Sequence, residues 1–197
     1  IVVIYPGVSN KYLNVTTNKK VVTKHHLPEK YLLFTGGITP RKNIIRLIDA
    51  FEDISDNSLY LVLTGAKGWH NTNILRRIKN NKRILLLGHV KDTDMPSLYA
   101  NAYIFIYPSL YEGFGLPVIE AQSQKCPVIS SKATSLEEVT NNSAYVIYPH
   151  SFESIRDAIL HILQNKETRN SIIKKGYQNY QRFNWDKSVL TFLHAIG

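Results

Sequence analysis

The stretch YIFIYPSLYEGFGLPVIEA, residues 103–121, decides the fold. Tyr103 to Tyr107 is an apolar run of aromatic and β-branched residues, with the length and composition of a strand. Gly113 and Gly115 then punctuate a loop, and Leu116 to Gln124 follows with a helical pattern. Pro117 suits the first helical turn, where its missing N–H costs nothing. Strand, glycine loop and helix in that order predict a turn whose backbone amides, from Gly113 through Phe114 and Gly115 to Leu116, face an anion. Glu112 lies in that loop, and Glu120 projects from the helix toward the same crevice. A carboxylate at Glu120 can accept hydrogen bonds from both hydroxyls of a ribose. Read alone, each glutamate is more simply a helix-surface or capping carboxylate.

Outward from this stretch the same order repeats. Further strand-like runs occur at Tyr31 to Thr35, Leu59 to Thr64, Ile84 to Leu87, Val128 to Ser130 and Ala144 to Ile147. Helical spacing occupies Asn43 to Phe51, Met95 to Ala100 and Ile155 to Leu163. Near-continuous apolar strands alternating with helices predict a doubly wound α/β domain, a parallel sheet covered on both faces, with ligands at the strand carboxyl ends. After Pro149 only helices are expected, at Ser151 to Gln164, Glu167 to Arg182 and Asp186 to Ala195, the last preceded by Phe183 and Trp185. Thr16 to Glu29 is a polar linker in this reading. Ile1 to Ile4 is a strand run that opens abruptly, which implies that a further segment precedes it. All 197 residues fit one domain.

A second glycine turn, TGGITPRKN at residues 35–43, follows the Tyr31 to Thr35 strand. Gly36 and Gly37 let the backbone come close to a ligand, and a helix beginning near Arg41 or Lys42 offers free amides together with two full positive charges. That combination suits phosphate. His89, directly after a strand-end glycine, is either a loop histidine or a contact to a nucleotide base. Tyr99, Tyr103, Tyr107 and Tyr111 read as core or rim packing.

Composition bounds the partners. Apolar residues make up 44% and charged residues 20%, the balance of a globular chain rather than a disordered one. A net charge of +9 favours anionic ligands or surfaces. The basic residues are scattered, and no nucleic-acid-binding module accompanies them, so nucleic acid is not an expected partner. Cys126, the one cysteine, has no partner for a disulfide and reads as a structural thiol. No apolar run approaches the length of a membrane-spanning helix, and a cytoplasmic chain is expected.

The full string YPSLYEGFGLPVIEA resembles glycosyltransferase family 4, the retaining transferases of GT-B fold, whose signature is Glu-x7-Glu, here Glu112 and Glu120. The resemblance extends over nearly the whole chain, through YPGVSNKYL, FTGGITPRKN, LVLTGAKG, LLGHVKDTDMPSLYANA, SSKATSLEEV and RFNWDKS. It implies the carboxyl-terminal, donor-binding domain of a two-domain enzyme, without its amino-terminal acceptor domain. By that resemblance Arg41 and Lys42 hold the diphosphate of a nucleotide sugar, Glu120 binds the ribose, and Glu112 meets the sugar. The donor is a substrate, so no cofactor is implied, and no Asp-x-Asp metal site is expected. The PRKN and TSLEEV strings resemble the subgroup that builds O-antigen, which implies GDP-mannose or a UDP-sugar, a lipid-linked glycan acceptor and peripheral contact with an anionic membrane face. A non-catalytic nucleotide-sugar module or a sugar-nucleotide epimerase of similar fold remain the alternatives. Three departures from the family pattern are Gly37, where arginine or threonine is usual, Lys125, where glycine is usual, and Glu137, where proline is frequent. Lys125 therefore implies a strained or reshaped turn, and Glu137 a neutral change.

Overall fold

The computed structural model describes residues 1–66, 68 and 72–196. Six strands, β1 (Tyr31–Thr35), β2 (Tyr60–Thr64), β3 (Ile84–Gly88), β4 (Ile104–Tyr107), β5 (Val128–Ser131) and β6 (Tyr145–Ile147), form one sheet in the order β3-β2-β1-β4-β5-β6. Every neighbouring pair is parallel. The central strands are unbroken apolar runs because both of their faces are covered: Leu32, Leu33 and Phe34 of β1 and Ile104, Phe105 and Ile106 of β4 have no solvent exposure.

The helices are α1 (Lys19–Lys24), α2 (Ile44–Glu52), α3 (Thr72–Asn80), α4 (Met95–Asn101), α5 (Leu116–Ser123), α6 (Ser135–Thr140), α7 (Phe152–Gln164), α8 (Lys166–Asn179) and α9 (Trp185–Ile196). On α2 the periodic set Ile44, Leu47, Ile48 and Phe51 is buried, and this helix packs against α7. Helices α1, α4, α5 and α8 form a second group of neighbours. The chain winds from β1 out to β3, then returns to β4 and winds out to β6. The loops leaving β1 and β4 therefore diverge from adjacent strand ends, which opens a crevice between them.

Several sequence expectations change. Ile1 to Ile4 is exposed irregular chain rather than a strand. Among the described residues no strand lies beside it to take up its backbone groups. The presumed linker at Thr16 to Glu29 contains α1, where the Asn18 side chain accepts from the Lys20 amide and caps a helix only six residues long. Helices α3 and α6 were not anticipated. Both are short; α3 is mostly polar, and its apolar signal reduces to buried Ile74 and Ile78. The helix expected to start near Arg41 is divided: Pro40–Lys42 is a single 3-10 turn, Asn43 adopts a left-handed conformation with φ of 59°, and α2 begins only at Ile44. Likewise the Glu167 to Arg182 helix ends at Asn179 and closes in a 3-10 turn over Tyr180–Arg182. At Lys125 the implied strain is present, with φ of 56°.

Candidate functional site

The two glycine turns meet at the carboxyl ends of β1 and β4. Leu110 donates its backbone N–H to the Arg41 carbonyl at 2.9 Å, which joins the loops directly. Asn43, missed in the sequence, is the other tie. It is buried at 3% exposure, and its side-chain amide donates to the carbonyls of Pro108 at 3.0 Å and Pro149 at 2.6 Å. One side chain thus fixes the chain after β1, after β4 and after β6. Asparagine tolerates the left-handed conformation this requires, and an Asn directly behind a basic pair was the available signal.

Within this frame Arg41, Lys42 and Glu112 come together. Lys42 donates to Glu112 Oε1 at 2.6 Å, and Arg41 pairs with Glu112 Oε2 at 2.8 Å, so each carboxylate oxygen holds one cation. The two cations differ in setting. The Lys42 side chain is 9% exposed and that of Arg41 46%. Lys42 also donates to the Tyr107 hydroxyl, and its ammonium sits 4.5 Å from that ring's centroid. An ammonium has three donors, so after Glu112 and Tyr107 one N–H is left for a ligand. Gly36 keeps the space beside it open: a Cβ there would stand 3.2 Å from Lys42 Cε. A Cβ at Gly37 would meet Thr39 Cγ2 at 3.8 Å and the Ala66 carbonyl at 3.9 Å rather than Lys42.

Charge follows the packing. Burial alone would push the Glu112 carboxyl up, but the hydrogen bonds from Lys42 and Arg41 and the Lys42 charge outweigh it and hold the group below its ordinary range. Burial draws the Lys42 ammonium down, with Glu112 opposing. The Glu112 backbone is fixed from β5's side. Thr134 Oγ1 accepts from the Glu112 N–H at 3.1 Å and donates to its carbonyl at 2.8 Å, and Ser135 Oγ donates to the same carbonyl at 3.0 Å. Thr134 holds this position with φ of 44° and ψ of −122°, a conformation costly for a β-branched residue. Sequence reasoning had no means of seeing that clamp, because its partners are 22 residues apart.

Gly115 precedes α5 with φ of 105°, where a Cβ would also strike Leu136 Cδ2 at 2.5 Å. No acceptor among the described residues takes the backbone N–H of Gly113, Phe114, Gly115 or Leu116. Unpaired amides at a helix amino end have the geometry to receive an anion.

Glu120 lies apart from the cations. It is partly buried, and Tyr99, itself fully buried, donates its hydroxyl to Oε2 at 3.0 Å. Burial pushes the Glu120 carboxyl above its ordinary range, and the Tyr99 hydrogen bond only partly offsets this. Tyr99 and Tyr107 are core residues, as the sequence suggested, yet their hydroxyls serve the two glutamates' surroundings. Tyr111 is 59% exposed, and Tyr103 is covered by Arg169 at 4.5 Å. His89 is exposed at the end of β3, near enough to Asp92 to act on its charge.

The expected lack of an Asp-x-Asp motif needs correction, since Asp92-Thr93-Asp94 has that spacing. Its carboxylates already have partners: Asp92 pairs with Lys11 at 2.8 Å, and Asp94 with Lys24 and with the His25 ring at 2.9 Å. Among the described residues no group of three or more His, Cys, Asp or Glu gathers in a metal-holding arrangement. None of the described helices is long and apolar enough to cross a membrane. Lys67, within the LVLTGAKG string, lies outside the described residues.

With this geometry in place, the chain can be set beside known proteins. The family model described as glycosyl transferases group 1 matches residues 15–179. The O-antigen chain mannosyltransferase B of Escherichia coli is 36% identical over 182 residues, 89% of this chain and 48% of that protein. The structure of Anabaena Alr3699/HepE in complex with UDP and glucose superposes with a TM-score of 0.86 at 18% identity, covering 99% of this chain and 56% of its own. A carboxyl-terminal domain of a group 1 glycosyl transferase, LpcC from Francisella tularensis, aligns with a TM-score of 0.74 at 24% identity, covering 89% of this chain and 97% of its own. The chain therefore spans about half the length of the mannosyltransferase B and of the HepE chain.

Proposed function

The chain belongs to the group 1 glycosyl transferases, and from that premise we propose that it is the donor-binding half of a retaining GT-B hexosyltransferase. The observation that carries this is the pairing of Arg41 and Lys42 at one crevice with four unpaired amides at the start of α5. Two cations and a helix amino end are suited to a diphosphate, in the ground state and as the negatively charged leaving group. In this reading Lys42 and Arg41 hold the diphosphate, the Gly113 to Leu116 amides assist, Glu120 accepts the ribose hydroxyls, and Glu112 receives the sugar. Gly36 and Gly37 admit the phosphates, and His89 flanks the base. The acceptor hydroxyl attacks from the face the leaving group departs, and the departing diphosphate takes its proton. Protein cations do the neutralising, so we expect transfer to survive a chelator.

The donor class rests on similarity: one relative is a mannosyltransferase of O-antigen chains, and a neighbour of the same fold holds UDP and glucose. GDP-mannose or a UDP-sugar, passed to a lipid-linked glycan of a surface polysaccharide at the inner face of a membrane, follows as the proposal. An amino-terminal acceptor domain completes the enzyme. Support for such a domain comes from α9, which buries none of its residues and exposes Trp185, Val189, Leu190, Phe192, Leu193 and Ile196. An exposed apolar face of this kind is suited to being covered by another domain.

A thermal-shift panel of UDP-, GDP- and ADP-sugars tests the site, since a ligand that binds only the folded state raises apparent stability. A selective rise with one nucleotide class is expected. No rise with any of them at millimolar concentration overturns the reading.

A further inference from the structure

Glu112 uses both of its oxygens on the two cations that the proposed function gives to the diphosphate. Those two bonds are not equivalent. Lys42 is buried and held by Tyr107, whereas Arg41 is nearly half exposed at the rim, where the same NH1 also donates to the Tyr111 carbonyl at 2.7 Å. An exposed guanidinium can swing to a neighbouring oxyanion at little cost; a buried ammonium fixed by two partners cannot.

We propose that Arg41 caps Glu112 Oε2 until a diphosphate draws it away, so that the carboxylate becomes free to accept a sugar hydroxyl only when a diphosphate is seated. Glu112 acts meanwhile as an internal anion in competition with the ligand, and sugar recognition is made conditional on phosphate recognition. A free sugar meets a capped carboxylate, and a bare diphosphate meets a rival for Arg41. This inference rests on the proposed donor site and goes beyond it, because it assigns an order to the contacts and an opposing role to a residue otherwise counted only as a sugar ligand.

The test is calorimetric titration of the chain with UDP and GDP, and with the matching UDP-glucose and GDP-mannose. Glu112→Gln removes the competing charge and should bind the nucleoside diphosphate about two- to fivefold more tightly than wild type, the range of a partly exposed ion pair. It should also lose whatever extra affinity wild type has for the nucleotide sugar over the nucleoside diphosphate. Glu112→Asp, a methylene shorter, keeps a charge beside Lys42 but cannot span both cations. It should show the same gain, and it decides the matter if Glu112→Gln does not fold. Diphosphate binding that is unchanged or weaker in the folded variants, with wild type binding normally, overturns the exchange and leaves the donor site standing. Failure of wild type to bind UDP or GDP at all overturns the donor site, and the exchange with it.

Discussion

The two glutamates of the Glu-x7-Glu pair stand in opposite surroundings. Glu112 sits between two cations, its backbone clamped by Thr134 and Ser135, and its carboxyl is held below the ordinary range. Glu120 faces a tyrosine hydroxyl on the helix one loop away, and burial pushes its carboxyl up. One end of the crevice is ionic, with two cations to one carboxylate; the other holds a carboxylate whose charge burial disfavours. Spacing makes the pair look symmetrical, but burial and charge make the two ends different, and the proposed function gives the first to phosphate and sugar and the second to the ribose diol.

The largest break in this comparison comes from Lys42→Met. Removing one partner of a buried ion pair costs about 3 to 5 kcal/mol, so denaturant unfolding should show a loss of that order. Nucleoside diphosphate affinity should fall about tenfold or more, the worth of a charge-assisted hydrogen bond, while affinity for the bare nucleoside changes little. Equal losses for both ligands would contradict the assignment.

Glu120→Gln should act in the opposite pattern. Loss of a charged acceptor for the ribose costs about 1.5 to 3 kcal/mol, a 10- to 150-fold fall in nucleotide affinity. Stability should not drop, because a buried charge disappears and the amide oxygen still accepts from Tyr99. A 2′,3′-dideoxynucleotide should be indifferent to the substitution. Nucleotide affinity equal to wild type in a stable Glu120→Gln protein would remove the ribose role.

Tyr99→Phe is a smaller perturbation, about 1 kcal/mol of stability. It should raise the Glu120 carboxyl further, readable as a shift in its NMR titration, and leave Glu112 unmoved. Coupled movement of both glutamates would deny that the ends are separate.

The gentlest probe is pH. A carboxyl lowered by folding contributes stability that is present at neutral pH and lost as pH falls through its folded value, whereas one raised by folding returns stability as it takes up its proton. Mild acid should therefore protonate Glu120 first without loss, and destabilisation through Glu112 should set in only below the ordinary glutamate range. Melting temperature against pH should lose its early phase in Glu120→Gln and its late phase in Glu112→Gln.

Much of this was legible in the chain itself. The six strands were read to within a residue or so at each end, because fully buried parallel strands are apolar on both faces and announce themselves. The basic pair Arg41 and Lys42, the two glutamates and the Gly113 to Leu116 turn were also named from sequence, since each belongs to one local stretch. Short helices were not. In α1 and α6 six residues give too few turns for periodicity to register. The interruption at Asn43 was hidden because its cause, the carbonyls of Pro108 and Pro149, comes from distant loops.

By itself, then, the sequence determined the alternation of strand and helix, the glycine turns at the strand ends, and which residue types stand there, because those depend on neighbours within a few positions. It assigned Tyr99 and Tyr107 to packing and left Thr134 unnoticed. Only the tertiary structure decided that Tyr107 holds Lys42, that Tyr99 faces Glu120, that Thr134 fixes Glu112, and that Glu112 spans two cations. Each of those is a contact between residues 21 to 71 positions apart. Such contacts set the protonation of both glutamates through burial and charge, quantities that exist only once the sheet has brought the loops of β1 and β4 together.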